Sequence, residues 1–243
     1  MFELLFLGLF VGLLSGFFGV GGGTILIPIL LILGYETKVA IGISVVQMVF
    51  SSIYGSYLNN KKGTLDIKMV SIIGAGGFAG ALLSGYIAAF LSDRTLELMF
   101  FAFASFALLR MFFKTHEDAQ ERELHYLILL CIGFVLGAFS MTIGVGGSIL
   151  LVPIMVGFLH IPLKKATSAG LFFVVFSSIS GLISHAIEGH IDYVSGITVG
   201  LASLFGVFVG VHFKEKVTHR VQKGMLVTFY LFVVLYLAKR IFF

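Results

Sequence analysis

Gly19-Val20-Gly21-Gly22-Gly23-Thr24-Ile25-Leu26-Ile27-Pro28 is one of two nearly identical stretches in this chain. The second copy begins 125 residues downstream and reads Gly144-Val145-Gly146-Gly147-Ser148-Ile149-Leu150-Leu151-Val152-Pro153. Each copy sits inside a long apolar run, residues 2–33 or 124–159. Glycine costs a helix interior about 1 kcal/mol relative to alanine. Two matching glycine clusters therefore indicate two helix breaks with a shared role.

The composition indicates an integral membrane protein. Of the 243 residues, 58% are hydrophobic and 12% are charged, whereas soluble domains carry about 25% charged residues. The apolar blocks between the charges are long enough to cross about 30 Å of hydrocarbon as helices. No strand-length alternation of apolar and polar residues appears, which argues against a membrane β-barrel. We therefore expect an all-α, multi-pass membrane protein.

Each of the two long apolar runs is expected to form two half-helices. As one helix, the run at residues 2–33 would be roughly 48 Å long, which is too long for a single crossing. Split at its glycines, it gives one half-helix at residues 2–18 and another at 24–33, with Thr24 as the N-cap. The remaining apolar blocks predict six single crossings, at residues 39–58, 69–91, 96–113, 166–187, 193–213 and 221–237.

The chain divides into two copies of one unit. We predict a first transmembrane repeat at residues 1–113, a polar connector at 114–123 and a second transmembrane repeat at 124–243. Past residue 160 the offset between the copies becomes 126, which pairs Ser51 with Ser177. Internal repeats of this kind are typical of secondary transporters, whose substrate site lies near the midplane where the repeats meet.

The distribution of Lys and Arg predicts how the copies are oriented. If each long run enters and leaves on the same side, the chain crosses six times and these residues divide 12 to 4 between the two faces. If both runs cross, there are eight crossings and an 8 to 8 division. Only the first arrangement obeys the positive-inside rule. It makes the halves an inverted repeat, brings two re-entrant glycine tips together and leaves both termini outside the cytoplasm.

The glycine tips are the predicted substrate site. Glycines free backbone N–H groups from helical bonding, and the half-helix that follows points its positive end at the same spot, which favours an anion. The apolar spans contain almost no carboxylates to repel it. We predict substrate-binding roles for residues at the tips and on nearby spans: Gly19, Gly21, Gly22, Gly23, Thr24, Gln47, Ser51, Thr142, Gly144, Gly146, Gly147, Ser148 and Ser177.

Simpler interpretations remain for several of these residues. The duplicated glycines could serve only close helix packing, which is the interpretation we favour for glycines at four-residue spacing such as Gly12, Gly137 and Gly206. The serine pairs could bond back to the carbonyls of their own helices. His185, near the end of a span, is interpreted as an interfacial polar residue rather than as a proton relay.

The sequence does not indicate an enzyme. No nucleophile has a base beside it, no His/Glu cluster has metal-ligand spacing, and the glycine motif lacks the Lys-Ser or Lys-Thr pair of a phosphate loop. We expect no catalytic residue, no metal and no cofactor. The expected partners are a small anionic substrate and the lipid bilayer, without nucleic acid, and a homo-oligomer is left open.

The repeated motifs carry a resemblance to a known family. Gly-x-Gly-Gly followed by a proline occurs in both halves, together with Ser-Ser-x-x-Gly at residues 51–55 and 177–181 and Gly-x-x-Asp at 63–66 and 189–192. This set resembles the TauE/SafE family of membrane transporters, the sulfite exporters, over essentially the whole chain. The resemblance implies export of a small sulfur-containing oxyanion, such as sulfite or an organosulfonate, across the bacterial inner membrane. The alternatives are a channel-like anion uniporter and a non-transporting membrane scaffold whose glycines serve packing alone.

Overall fold

A computed structural model describes residues 2–65, 67–112 and 125–242, and every regular element within them is a helix. The all-α prediction is confirmed. The predicted connector at residues 114–123 lies outside the described residues. In chain order the helices are α1 (Phe2–Phe18), α2 (Gly23–Ile32), α3 (Thr37–Lys61), α4 (Ile67–Ala81), α5 (Ser84–Phe90), α6 (Asp93–Phe112), α7 (Tyr126–Thr142), α8 (Ser148–Phe158), α9 (Leu163–Ile187), α10 (Tyr193–Lys216) and α11 (His219–Phe242).

Both long apolar runs are broken at their glycines. The first run forms α1 and α2, and the second forms α7 and α8. The predicted N-cap at Thr24 is wrong, because α2 already begins at Gly23 and its N-cap is Gly22. Gly22 has a φ of 78° and its counterpart Gly147 has a φ of 79°, a backbone conformation that glycine alone adopts readily. Each short helix therefore begins directly after the last positive-φ glycine of its cluster.

Among the residues that the structure describes, five helical segments are long and apolar enough to cross a membrane. They are Thr37–Lys61, Ile67–Phe90, Leu163–Ile187, Tyr193–Lys214 and Arg220–Phe242. The second of these comprises both α4 and α5. The five correspond to five of the six predicted single crossings. The sixth, at residues 96–113, coincides with α6, which is 20 residues long and ends where the described residues end.

Helices of one half pack against helices of the other half. α1 of the first half lies along α10 of the second, and α7 of the second half lies along α4 of the first. α3 and α9 contact each other, as do α6 and α11. Under the 125- to 126-residue offset α1 corresponds to α7 and α4 to α10. The α1–α10 pair and the α7–α4 pair are therefore equivalent. Glycines permit this packing: a side chain at Gly12 would collide with the Ser203 backbone, and one at Gly137 with the Gly77 backbone.

α11 is attached to both helices of the first broken run. The Gln222 amide donates a hydrogen bond of 3.1 Å to the Phe17 carbonyl near the end of α1. The Arg240 guanidinium donates to the Leu31 carbonyl near the end of α2 at 3.3 Å, and to the Glu97 carboxylate at 3.0 Å. The Gln222 bond supplies a donor for a carbonyl that the end of α1 leaves without an intrahelical partner. The Arg240 bond adds to the one that the Leu31 carbonyl accepts from the Gly34 amide at 3.2 Å. These bonds hold the first run in position next to the site.

Candidate functional site

The two glycine breaks have the same backbone shape. We call residues 19–23 the first tip and residues 144–148 the second tip. Each tip has three glycines with positive φ at the same places, namely Gly19, Gly21 and Gly22 in the first and Gly144, Gly146 and Gly147 in the second. Each is followed at once by a short helix, α2 or α8, which contains a proline within it. The repeat is therefore present in the backbone as well as in the sequence.

The two tips contact each other inside the protein. The Ser44 hydroxyl on α3 donates a hydrogen bond of 2.8 Å to the Gly144 carbonyl of the second tip. Gly23 of the first tip packs so closely on that same carbonyl that a side chain there would collide with it. Both tips are buried throughout. The N-terminal ends of α2 and α8, which carry partial positive charge, therefore lie in one buried region.

One methionine lies against both tips. The Met48 sulfur is among the nearest atoms to the position where a side chain would be built on Gly21, and likewise on Gly146. Val174, the counterpart of Met48 in the second half, also faces both of these glycines. Met48 and Val174 are both fully buried. The Met48 thioether thus lies where the two tips meet. Because the methionine side chain is unbranched, it can change rotamer there more readily than the β-branched Val174.

Several polar groups at the tips are buried without a partner. Within the described residues, the Thr24 and Ser148 hydroxyls and both amide atoms of Gln47 make no hydrogen bond. All three residues are 0% exposed. Thr24 and Ser148 are in the first turns of α2 and α8, and Gln47 faces Gly22. A buried polar group left unpaired costs about 1–3 kcal/mol, so these groups are candidates for binding a ligand at the tips.

Two further serines belong with this group. Ser15 and Ser140 are fully buried, and neither hydroxyl has a partner in the described part of the chain. Ser15 accepts the Gly19 amide through its carbonyl, and Ser140 likewise accepts the Val145 amide, so each lies one turn before its tip. We did not predict them. The 125-residue offset pairs them, and that pairing is the sequence pattern that could have identified both.

Three of the predicted site residues have their hydroxyls engaged with backbone carbonyls. Thr142, at the end of α7, donates to the Ala138 carbonyl of its own helix at 2.7 Å. Ser51 donates back to Met48 at 3.4 Å. Ser177 donates at 3.2 Å to the Gly146 carbonyl of the second tip. Back-bonding was one of the two interpretations of the serine pairs, and it holds for Ser51, whereas Ser177 also anchors a tip.

The side chains that face the two tips differ. Gln47 faces Gly22, whereas its counterpart Phe173 faces Gly147. The first tip therefore meets an amide and the second an aromatic ring. The described acidic side chains lie at or near helix ends, with Glu97 held by Arg240 and by the Thr37 hydroxyl at 3.0 Å each. The site thus combines hydroxyl and amide donors with helix N-terminal ends, and this set of groups suits a small anion.

His185, interpreted from the sequence as an interfacial polar residue, is enclosed by protein near the end of α9. It is 0% exposed, and its Nε2 lies 3.1 Å from the carbonyl oxygen of Met141 in the penultimate position of α7. The physical reason is the break between α4 and α5, which lets α5 pack against α9 at this point. There the Ser184 hydroxyl accepts the Gly85 amide at 2.8 Å and donates to the Leu82 carbonyl at 2.8 Å. The end of α9 is consequently enclosed by protein.

Comparison with known proteins places the chain in a family. The family model described as Sulfite exporter TauE/SafE matches residues 4–237. The probable membrane transporter protein YunE of Bacillus subtilis is 25% identical, with 88% of each chain covered. YdhB of the same organism, also a probable membrane transporter protein, is 27% identical over 88% of this chain and 90% of its own.

A probable membrane transporter protein of Methanocaldococcus jannaschii is 26% identical over 92% of this chain and 90% of its own. No solved structure matches the chain. The motifs, the five apolar spans and the family model agree in describing a multi-pass membrane protein. This chain belongs to the TauE/SafE sulfite exporter family of membrane transporters.

Proposed function

We propose that this protein is a secondary transporter that exports a small sulfur-containing oxyanion, such as sulfite or an organosulfonate, across the bacterial inner membrane. Membership of a transporter family supports the transport activity. The choice of anion follows the family's description as sulfite exporters. The observation that carries the proposal is the set of buried, unpartnered hydroxyl and amide groups around two glycine tips that contact each other.

The anion is held between the tips. The amide of Gln47 and the hydroxyls of Thr24 and Ser148 donate to its oxygens, since these groups have no other partner in the described residues. The N-terminal ends of α2 and α8 add positive potential from two directions. A desolvated oxyanion offers several acceptors at once, so one ligand satisfies groups from both halves. Hydrogen bonds to a charged group contribute about 1.5–3 kcal/mol each, which is enough for selective binding.

The halves form an inverted repeat around this site. The exchange of packing partners between α1–α10 and α7–α4 supports a two-fold relation between the halves. The 12 to 4 division of Lys and Arg supports three crossings per half, with α1–α2 and α7–α8 as re-entrant pairs that enter from opposite faces. Both termini then lie outside the cytoplasm. In this arrangement the tips meet at mid-membrane, where inverted-repeat transporters bind substrate.

A carrier fits the closed junction better than an open channel does. The Ser44 to Gly144 hydrogen bond and the contacts of Met48 with both tips join the two halves across the site. An anion held there passes on only when these contacts separate. A carrier of this kind has a saturable rate and shows counterflow, in which outward movement of unlabelled anion accelerates uptake of labelled anion. Flux through an open channel follows the electrochemical gradient alone.

Transport by purified protein in liposomes tests the proposal. Vesicles containing the protein are loaded with unlabelled sulfite or methanesulfonate, and uptake of labelled anion is followed under counterflow. We expect saturable uptake that exceeds that of protein-free vesicles. Flux that rises linearly with concentration would favour the channel-like uniporter. Vesicles that stay impermeable with folded protein present would favour the scaffold and contradict the proposal.

A further inference from the structure

His185 is a buried titratable group that the anion site does not use. Its Nε2 lies 3.1 Å from the Met141 carbonyl, and a carbonyl can only accept, so the Nε2 atom carries the hydrogen of this bond. In the neutral ring Nδ1 is then a bare acceptor. This atom is buried and has no partner within residues 2–65, 67–112 and 125–242. The ring is therefore fixed in orientation, and the lone pair of its Nδ1 atom can bind one proton.

The same carbonyl connects His185 to the second tip. The Met141 oxygen also accepts the Gly144 amide at 3.1 Å, and Gly144 is the first glycine of that tip. A proton on Nδ1 makes the ring a cation, and hydrogen bonds from charged donors are shorter and about twice as strong as neutral ones. Protonation thus alters how the carbonyl is shared between the ring and the tip. It also places a positive charge near a site built for an anion.

His190 gives this ring a route to the aqueous face. The two ring centroids are 5.9 Å apart, and His190 is partly exposed in the segment between α9 and α10. Its Nδ1 also has no partner in the described part of the chain. Burial, and then the positive charge of Lys38 on α3, lowers the pKa of His190, while Glu188 and Asp93 on α6 act in the opposite direction. His190 is therefore suited to passing a proton on rather than to keeping it.

The other half of the protein has a different arrangement at this position. The repeat counterpart of His185 is Asn59, whose side-chain oxygen accepts a 3.2 Å hydrogen bond from the Lys214 ammonium. Lys214 is itself buried and also donates to the Ser168 hydroxyl at 2.9 Å. Asn59 thus contacts a lysine, whereas its counterpart His185 lies beside a second imidazole, that of His190. Histidine is the side chain whose charge changes most readily near neutral pH.

We propose that His185 binds a proton together with each transported anion, with His190 exchanging that proton with the aqueous face. The proton and the anion then move in the same direction, so that an outward anion gradient drives export of both and acid outside drives uptake of both. In the loading step a proton from solution adds to the Nδ1 lone pair and forms an imidazolium. Release of the proton to solution restores the neutral ring. The proton and the anion stabilise each other's binding through their opposite charges. This inference rests on the proposed function, because it requires an anion at the tips.

The test measures gradient-driven uptake and counterflow in the same vesicles. Methanesulfonate is the probe, because it is the anion of a strong acid and has no neutral form near pH 7 that could leak across the bilayer. With acid outside, wild-type vesicles are expected to accumulate the labelled anion, and collapsing the gradient should stop this. His185→Gln is expected to lose gradient-driven accumulation and retain counterflow. His185→Asn, which installs the residue of the other half, should behave in the same way.

A matched control is His212→Gln on α10. His212 also contacts a backbone carbonyl through its ring, that of Phe208 at 2.8 Å, but its side chain is exposed. It should accumulate methanesulfonate as the wild type does. His190→Gln, at a partly exposed position, should slow accumulation and leave counterflow intact, and it serves as the test if the His185 variants fold poorly.

Accumulation by His185→Gln at the wild-type level would overturn the inference. The inference would also be overturned if the wild-type protein showed counterflow but no accumulation in response to the gradient. In that case the proposed transport function would stand. Absence of both activities in folded wild-type protein would overturn the proposed function and the coupling together.

Discussion

Gln47 and Phe173 occupy equivalent positions on α3 and α9, and each packs against the last positive-φ glycine of a tip, Gly22 or Gly147. The two tips therefore share a backbone conformation, whereas the side chains that face them differ. If the anion binds between the tips as proposed, one side of it meets a hydrogen-bonding amide and the other meets an aromatic ring. The duplicated motif predicts two tips with a shared role, and this pair of residues is where the tips differ.

We expect Gln47→Leu to weaken anion binding without weakening the fold. Losing one hydrogen bond to a charged ligand costs about 1.5–3 kcal/mol, or about 10- to 150-fold in affinity. In the absence of ligand the amide is buried and unpartnered, so an apolar replacement of similar size should leave Tm unchanged or raise it. The half-saturating concentration in the liposome assay and Tm in detergent measure the two effects. An unchanged half-saturating concentration would show that Gln47 is not a ligand.

Gly22→Ala should abolish transport, and Gly63→Ala provides its matched control. Both glycines have positive φ, 78° and 67°, so both alanines carry backbone strain of about 1–3 kcal/mol. A side chain at Gly22 would in addition collide with the Gln47 amide, whereas nothing lies within 4 Å of one at Gly63. At comparable folded yield, counterflow should be lost only in Gly22→Ala. Equal counterflow activity in the two variants would show that Gly22 serves only to turn the backbone.

Gly206→Ala should lower the yield of folded protein, whereas Gly224→Ala should not. A methyl group at Gly206 on α10 would collide with the Leu9 carbonyl and with the Leu13 amide nitrogen on α1, and neither backbone can yield locally. Gly224 on α11 has open space around it, so alanine there should stabilise the helix by about 1 kcal/mol. Size-exclusion profiles and Tm values distinguish the two. Normal folding of Gly206→Ala would mean that α1 and α10 separate easily.

The six-crossing topology predicts labelling from opposite sides. In a Cys131→Ala background, Asn60→Cys at the end of α3 and Lys239→Cys near the end of α11 place thiols at exposed positions. With both termini outside, an impermeant thiol reagent should reach Lys239→Cys in intact cells and Asn60→Cys only after the membrane is opened. Labelling of both from the same side would instead favour eight crossings.

Local features of the fold could be predicted from the sequence, and long-range ones could not. The helix breaks at Gly19 to Gly23 follow from the conformational preferences of consecutive glycines, which do not depend on distant residues. The contact of Met48 with both tips and the isolation of the Gln47 amide depend on how α3 and α9 cross, and periodicity does not specify that crossing. The position of His185 near the end of α9 follows from the sequence, whereas its burial depends on how α5 packs against α9 beyond the break between α4 and α5.

The bonds from α11 to the first broken run also set the order in which the protein can be completed. Gln222 and Phe17 are 205 residues apart, and Arg240 and Leu31 are 209 apart. A chain made from its N-terminus inserts α1 and α2 long before their partners on α10 and α11 exist. Contacts of such high sequence separation form late and slow folding. Before α11 exists, the Phe17 carbonyl lacks its bond from Gln222 and the Leu31 carbonyl has only its bond from the Gly34 amide. The hydrogen bonding of the first half is therefore completed when the last helix has been synthesised.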